Sequence, residues 1–379
     1  MPTYSFPTLI YFGPGVRKDV GPHLKAQGVS RPLLVTDKGL AALPLPKELM
    51  ESVSAAGLEP ALFSDIAGNP VERSVTAGVA AYRAHKADGI IGLGGGAALD
   101  VAKAIALMTT HPGTLFEYED GRPDARPIVR DLPYWVALPT TAGTGSEVGR
   151  SAVISDEKTH VKKIIFSPKL LARAVFADPE LTLALPAKVT AATGMDALTH
   201  CIEAYLAKDY HPICDGIALE GLRLAAGALP RCVEAPGDIQ ARSDMMMASM
   251  MGAIAFQKGL GIVHSLAHAL SAVADFHHGY ANGVMIDRAL RFNLEGSEEK
   301  FQRMAQVVGL EDETGEGFLR WLREIKARIG IPADLKAAGV DRGQLDRLAR
   351  LAFEDTCHLN NPRPVQQDDF RVIYSESFT

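Results

Sequence analysis

The chain has 379 residues, 47% hydrophobic and 22% charged, with a formal net charge of −6. That length supports two domains with separate cores, and with no basic excess nucleic acid and anionic membrane surfaces are not expected partners. Four cysteines (Cys201, Cys214, Cys232 and Cys357) without a CxxC pair, no signal-like N-terminus and no membrane-length apolar run point to the cytoplasm.

In chain order, Leu9-Ile10-Tyr11-Phe12 reads as a strand ending in Gly13-Pro14-Gly15. Pro32-Leu33-Leu34-Val35-Thr36 is a buried-strand run that stops at Asp37, and Gly89-Ile90-Ile91-Gly92-Leu93 is another that runs into Gly94-Gly95-Gly96. Tyr134 to Leu138 is a third, followed by Pro139 and the hydroxyl-rich Thr140–Thr144. Helical patterns cover roughly 69–87 and 97–109, so strands alternate with helices, which predicts a parallel sheet flanked by helices. Sites in such sheets lie beyond the strands' C-terminal ends, where Asp37, Gly94–Gly96 and Thr140–Thr144 all fall. The character changes near Asp178-Pro179. Ala-, Leu- and Met-rich runs of helical period follow over roughly 187–207, 212–229, 239–257, 262–274, 298–308 and 314–329, with no strand run among them. The expected architecture is an α/β dinucleotide-binding domain over 1–184 and an all-helical metal-binding domain over 185–379, with a cleft between them. There is no internal repeat.

The helical half concentrates metal-binding residue types. Asp196 and His200 are four apart, as are His264 and His268, and residues at i and i+4 share a helix face. His277-His278-Gly279 follows, and six of the chain's eleven histidines fall between 200 and 278. Each pair alone is weak, but imidazole and carboxylate donors together suit Fe(II) or Zn(II). The α/β half offers a nucleotide site. Glycines between a strand and a helix let backbone N–H groups approach a pyrophosphate. Asp37 reads as an acceptor for ribose hydroxyls that would repel a 2′-phosphate, favouring NAD over NADP, or as an ordinary helix cap. It precedes the glycines, whereas the usual fingerprint has its acidic residue about 20 positions after them.

The stretches Gly94 to Lys103, Pro139 to Glu147, Thr193 to His200, Gly261 to His268 and His278-Gly279 carry a resemblance. In them, and nearly end to end as far as Asn361-Pro362-Arg363, the chain resembles the iron-containing (group III) alcohol dehydrogenases. The resemblance implies a dehydroquinate synthase-like architecture and hydride transfer between NAD(H) and a small alcohol, aldehyde or hydroxy acid. It implies Fe(II), with Zn(II) as an alternative ion, held by Asp196, His200, His264 and His278. His268 is then the catalytic proton carrier. Asp37, Gly95, Gly96, Asp100, Thr140, Thr141, Thr144 and Lys162 line the cofactor, with the adjacent Lys163 as rival to Lys162. The last ligand in the family pattern is the histidine directly before glycine, hence His278 rather than His277. Where the family usually has serine after the triple glycine, this chain has Ala97, which removes one hydroxyl contact to phosphate. A homo-oligomer, dimer or larger, is also implied.

Other residues read two ways. Arg150 and Lys258 are candidates for an anionic substrate tail or are solvated charges. Phe256 walls a pocket or packs the core. Cys201 and the methionines at 245–247 and 250–251 read as core, and His358, Asn360 and Asn361 lie in a C-terminal loop. Three rival functions are kept open. A maleylacetate reductase-type enzyme of the same superfamily would lack the usual metal set. A non-catalytic metal-binding module would not turn over NADH, and a sugar-phosphate lyase or synthase would recycle its cofactor.

Overall fold

The structure is a computed structural model and describes residues 6, 8–159, 161–274 and 276–378. The apolar runs become strands β1 (Leu9–Phe12), β2 (Pro32–Val35), β3 (Ala61–Phe63), β4 (Gly89–Gly94), β5 (Tyr134–Pro139), β6 (Ser151–Ser155), β7 (Lys162–Phe166) and β8 (Ala174–Ala177). Helices α1 (Val20–Ala26), α2 (Lys38–Ala41), α3 (Pro44–Ala55), α4 (Glu72–His85) and α5 (Gly96–Thr110) alternate with the first strands. Six strands form one sheet in the order β1-β8-β5-β4-β2-β3, and every pairing in it is parallel. β2, β4 and β8 are buried along their whole length, as expected of strands covered on both faces. β6 and β7 form a separate antiparallel ribbon in which Ser155 pairs with Lys162.

Chain direction across the sheet reverses between β2 and β4. β2 leads outward to its neighbour β3, whereas β4 leads the other way to β5. Open parallel sheets bind ligands at such a reversal, outside the carboxyl ends of the strands. Asp37 follows the end of β2 and Gly94–Gly96 closes β4, and these two strands pair directly, Val35 opposite Gly92.

The helical half comprises α6 (Ala187–Leu206), α7 (Pro212–Glu234), α8 (Ile239–Ala255), α9 (Ile262–Ala274), α10 (His278–Phe292), α11 (Glu298–Val307), α12 (Gly315–Arg328), α13 (Leu345–Glu354) and α14 (Gln367–Glu376). α6 is its central helix and packs on α7, α8 and α10. Sixteen of its twenty residues are buried, so its polar side chains must find partners inside the protein. Among the described residues no single helix is long and apolar enough to cross a membrane. Of the described residues, those up to Thr141 together with Ser146–Thr182 form one compact unit. Those from Leu183 onward, together with the short excursion Ala142–Gly145, form the other.

The sheet contains strands the sequence does not announce. β3 is only three residues long, and β8 is four residues, two of them alanine. α10 also has no forecast. α7 passes through Pro230 to reach Glu234, where the sequence pattern predicts an end at 229.

Candidate functional site

α6 presents Asp196, His200 and Glu203 at positions i, i+4 and i+7, one stripe of a helix. α9 contributes His264 and His268, and α10 begins with His278. These helices bring four donors together. Asp196 Oδ1 lies 3.2 Å from His278 Nε2, 3.6 Å from His200 Nε2 and 3.8 Å from His264 Nε2. One ligand atom from each of the four falls within 4.8 Å of the others. Metal–ligand bonds of 2.0–2.2 Å in a tetrahedron place donors about 3.3–3.6 Å apart, so the cluster has the dimensions of a metal site. His277, the neighbouring candidate, is exposed at the N-cap of α10 and outside this group.

The electrostatics agree with the spacing. Burial pushes His200 and His264 down to about 4 and His278 down to about 3, so all three are neutral imidazoles at neutral pH. Asn282 Nδ2 sits among the converging acceptors, 2.8 Å from Asp196 Oδ1 and 3.3 Å from His278 Nε2. Lone pairs that converge in a buried place with so little positive charge to share fit a cation. Phe256 packs its ring 5.0 Å from that of His200, and Thr144 donates through its hydroxyl to Asp196 Oδ2 at 3.4 Å.

Two carboxylates orient the α9 histidines. Glu203 Oε2 lies 2.6 Å from His264 Nδ1, and Asp355 Oδ2 lies 2.8 Å from His268 Nδ1. Asp355 is held ionised and only accepts, so His268 Nδ1 carries the proton and its Nε2 keeps a lone pair. Burial pushes the Glu203 carboxyl up to about 7 against the pull of its backbone N–H donors, and in its ionised form it too can only accept, which places the His264 proton on Nδ1. His268 is about one-third exposed, and its ring stacks on that of His278 at 5.0 Å. Asp355 also accepts from Ser265 Oγ and the Cys357 backbone N–H. Burial works to raise its pKa, but the His268 hydrogen bond and charge prevail and hold it well below the ordinary value.

In the α/β unit, Gly94 has φ 145°, and a Cβ there would lie 2.7 Å from Ala98 Cβ, so only glycine makes the turn from β4 into α5. Gly95 caps α5 without a side-chain hydrogen bond, which leaves the backbone N–H groups of Gly96 and its neighbours for an anion. Thr140 donates its N–H to Gly94 O at 3.0 Å, and a Cβ on Gly95 would lie 3.4 Å from the Thr141 side chain. Asp37 is the N-cap of α2 and accepts from Leu40 N–H at 2.9 Å through Oδ1. A Cβ on Gly94 would sit 3.5 Å from its other oxygen.

The sequence matches the family description "Iron-containing alcohol dehydrogenase" over residues 7–179 and "Fe-containing alcohol dehydrogenase family, C-terminal" over 190–378. The chain belongs to this family. It is an NAD-dependent alcohol dehydrogenase. A 4-hydroxybutyrate dehydrogenase of Cupriavidus necator is 39% identical over 360 residues, 92% of this chain and 93% of the relative. The crystal structure of a 1,3-propanediol oxidoreductase superposes with a TM-score of 0.94 at 36% identity, covering 100% of both chains. A sulfoacetaldehyde reductase of Bifidobacterium kashiwanohense in complex with NAD+ gives 0.90 at 28% identity, covering 100% of this chain and 99% of that one.

Several residues of this alcohol dehydrogenase have duties the sequence does not reveal. Asp100 is buried and accepts from Ser146 Oγ at 2.6 Å, Val153 N–H at 3.0 Å and Lys103 Nζ at 3.4 Å. Its carboxylate is occupied inside the protein. Thr144 clusters with the helical unit, unlike Thr140 and Thr141. Lys163 pairs with Glu119 at 3.1 Å and Asp156 at 3.6 Å, while Lys162 extends from the exposed face of β7. Lys258 is not a solvated charge: it is buried, pairs with Asp215 and donates to Tyr205 O. Arg150 lies over the Phe166 ring at 5.4 Å. Asn361 accepts from Ile262 N–H and exchanges hydrogen bonds with Asn293, so the C-terminal loop helps hold the start of α9. Glu203, Asn282 and Asp355 are absent from the sequence-derived site. Of these only Glu203 has a local signal, its place on the Asp196–His200 stripe.

Proposed function

We propose that this enzyme interconverts a short primary alcohol and its aldehyde with NAD(H), using Asp196, His200, His264 and His278 as ligands of Fe(II). The observation that carries this reading is the set of three histidine Nε2 atoms, on imidazoles that burial keeps neutral, around one buried Asp196 oxygen. When bound there, the ion supplies Lewis-acid polarisation of the substrate oxygen, and the nicotinamide supplies or accepts the hydride. The same donors accept Zn(II).

The protein's own part is orientation and proton movement. Glu203 and Asp355 fix the tautomers of His264 and His268. His268 Nε2, beside His278 and reachable from solvent, takes up the proton released when an alcohol is oxidised and returns it when an aldehyde is reduced. The Gly94–Gly96 turn and the start of α5 receive the pyrophosphate, Thr140 and Thr141 flank it, and Lys162 reaches the cofactor from β7. Asp37 receives the ribose hydroxyls and disfavours NADP. Asp100 acts from inside by fixing Ser146 and the middle of β6 at Val153. Thr144 positions Asp196. The names of the two most similar relatives given above, 4-hydroxybutyrate dehydrogenase and 1,3-propanediol oxidoreductase, support a three- or four-carbon ω-functionalised alcohol as substrate. A cytoplasmic homo-oligomer fits the same reading.

Apo-protein reloaded anaerobically with Fe(II) or Zn(II) should consume NADH with short aldehydes, and His264→Ala should not. Confirmed metal loading and NADH binding without turnover on any aldehyde would overturn this reading and favour a cofactor-recycling lyase or synthase.

A further inference from the structure

α6 carries Asp196 and His200, and one turn further on it carries Glu203, which is fully buried. Glu203 Oε1 accepts from Val263 N–H at 2.6 Å. Oε2 accepts from His264 N–H at 3.3 Å and from His264 Nδ1 at 2.6 Å. A single carboxylate therefore caps the start of α9 and sets both the direction and the tautomer of the imidazole that α9 presents. We infer that Glu203 is a positioning residue for metal binding, through which α6 controls His264 as well as its own two ligands.

The physical argument rests on donor and acceptor identity. With a carboxylate at Nδ1, the Nδ1 proton is held and Nε2 faces Asp196 with a lone pair. A partner that donates to Nδ1 reverses this, placing the proton on Nε2, and a protonated nitrogen cannot ligate. Carboxylates and carbonyls behind ligating histidines typically account for 10–100-fold in metal affinity. The hydrogen bonds to Val263 and His264 N–H add a second constraint, because free N–H groups at a buried helix start cost stability unless they are satisfied.

This inference rests on the metal centre proposed above, so its test separates the two. Co(II) affinity of the full chain is measured by competition with a chromophoric chelator, and the visible Co(II) spectrum is recorded. Circular dichroism verifies that each variant is folded. Glu203→Gln, which has almost the same shape but can turn an N–H toward Nδ1, should bind Co(II) about 10–100-fold more weakly, with an altered ligand-field spectrum. Glu203→Asp, which keeps the carboxylate, should recover part of the loss. Folded Glu203→Gln with wild-type Co(II) affinity overturns the inference. So does equal weakening in Glu203→Gln and Glu203→Asp, which is the mark of a helix cap alone. Should Glu203→Gln not fold, Glu203→Asp with Co(II) affinity as low as His264→Ala overturns it too, and an intermediate affinity supports it. His264→Ala with wild-type Co(II) affinity would instead remove the metal centre itself.

Discussion

Asp37 joins two readings that look like alternatives in the sequence. One oxygen caps α2 at Leu40 N–H, and the other is left toward Gly94 at the reversal of the sheet. The cap contributes about 1 kcal/mol whatever the cofactor, whereas the charge acts only on a ligand. Serine keeps a capping oxygen and removes the charge, so Asp37→Ser should fold normally and raise the kcat/KM ratio of NADPH to NADH by about tenfold or more, the effect of about 1.4 kcal/mol. Steady-state assays with both cofactors check it, and an unchanged ratio would leave Asp37 as a cap alone. At this scale the sequence was legible where spacing is local. Asp196 with His200, and glycines between a strand and a helix, are patterns within one turn or loop. Asp355 was not legible because it lies 87 residues from the His268 it holds. Asn282 was not either, because an asparagine four residues into α10 carries no sign of which acceptors will face it.

Gly279 directly follows His278, the last of the proposed ligands, at a close crossing of two helices. α10 starts against α6 so closely that a Cβ on Gly279 would sit 2.1 Å from the Ala192 carbonyl oxygen and 3.0 Å from Asp196 Cβ. That contact is with backbone and cannot be relieved by rotating a side chain. Gly279→Ala should therefore push the first turn of α10 away from α6 and carry His278 away from Asp196. A stability loss of about 1–3 kcal/mol, as for other overpacked sites, should come with a lower metal-to-protein ratio, read by thermal melting and elemental analysis. A stable variant with full metal content would show that α10 does not depend on this approach. Elements were legible in proportion to their length and period. α6, α8, α9 and α12 follow apolar patterns, whereas α10 does not, because its buried face is built partly from Gly279, Asn282, Gly283 and Asp287. The ribbon of β6 and β7 was hidden for a related reason. Its second strand alternates exposed Lys162, Ile164 and Phe166 with Lys163 and Ile165, so apolar residues fall on both faces and blur the period of two.

Across the whole molecule the residues proposed for the two binding functions fall in different units. Asp37, Gly94–Gly96, Thr140 and Thr141 belong to the α/β unit, and Asp196, His200, His264 and His278 to the helical one. The sequence leads to the expectation of two such halves because runs of strand period fall before Asp178 and only runs of helical period after it. The consequence of the division is thermodynamic. A ligand stabilises the fold that binds it by RT ln(1 + [L]/Kd), about 4 kcal/mol at a thousandfold excess over Kd, and a metal joining α6, α9 and α10 stabilises the packing of those three helices. Chelation should thus lower the melting temperature by about 8–16 °C, at 2–4 °C per kcal/mol for a unit of this size. It should abolish turnover and leave NADH affinity, measured by fluorescence titration, within about twofold of the metal-loaded protein, a difference of about 0.4 kcal/mol. An unchanged melting temperature after verified metal removal would mean that the four donors are held together by protein packing alone. Loss of NADH binding together with the metal would mean that the nucleotide site of the α/β unit is not complete on its own residues.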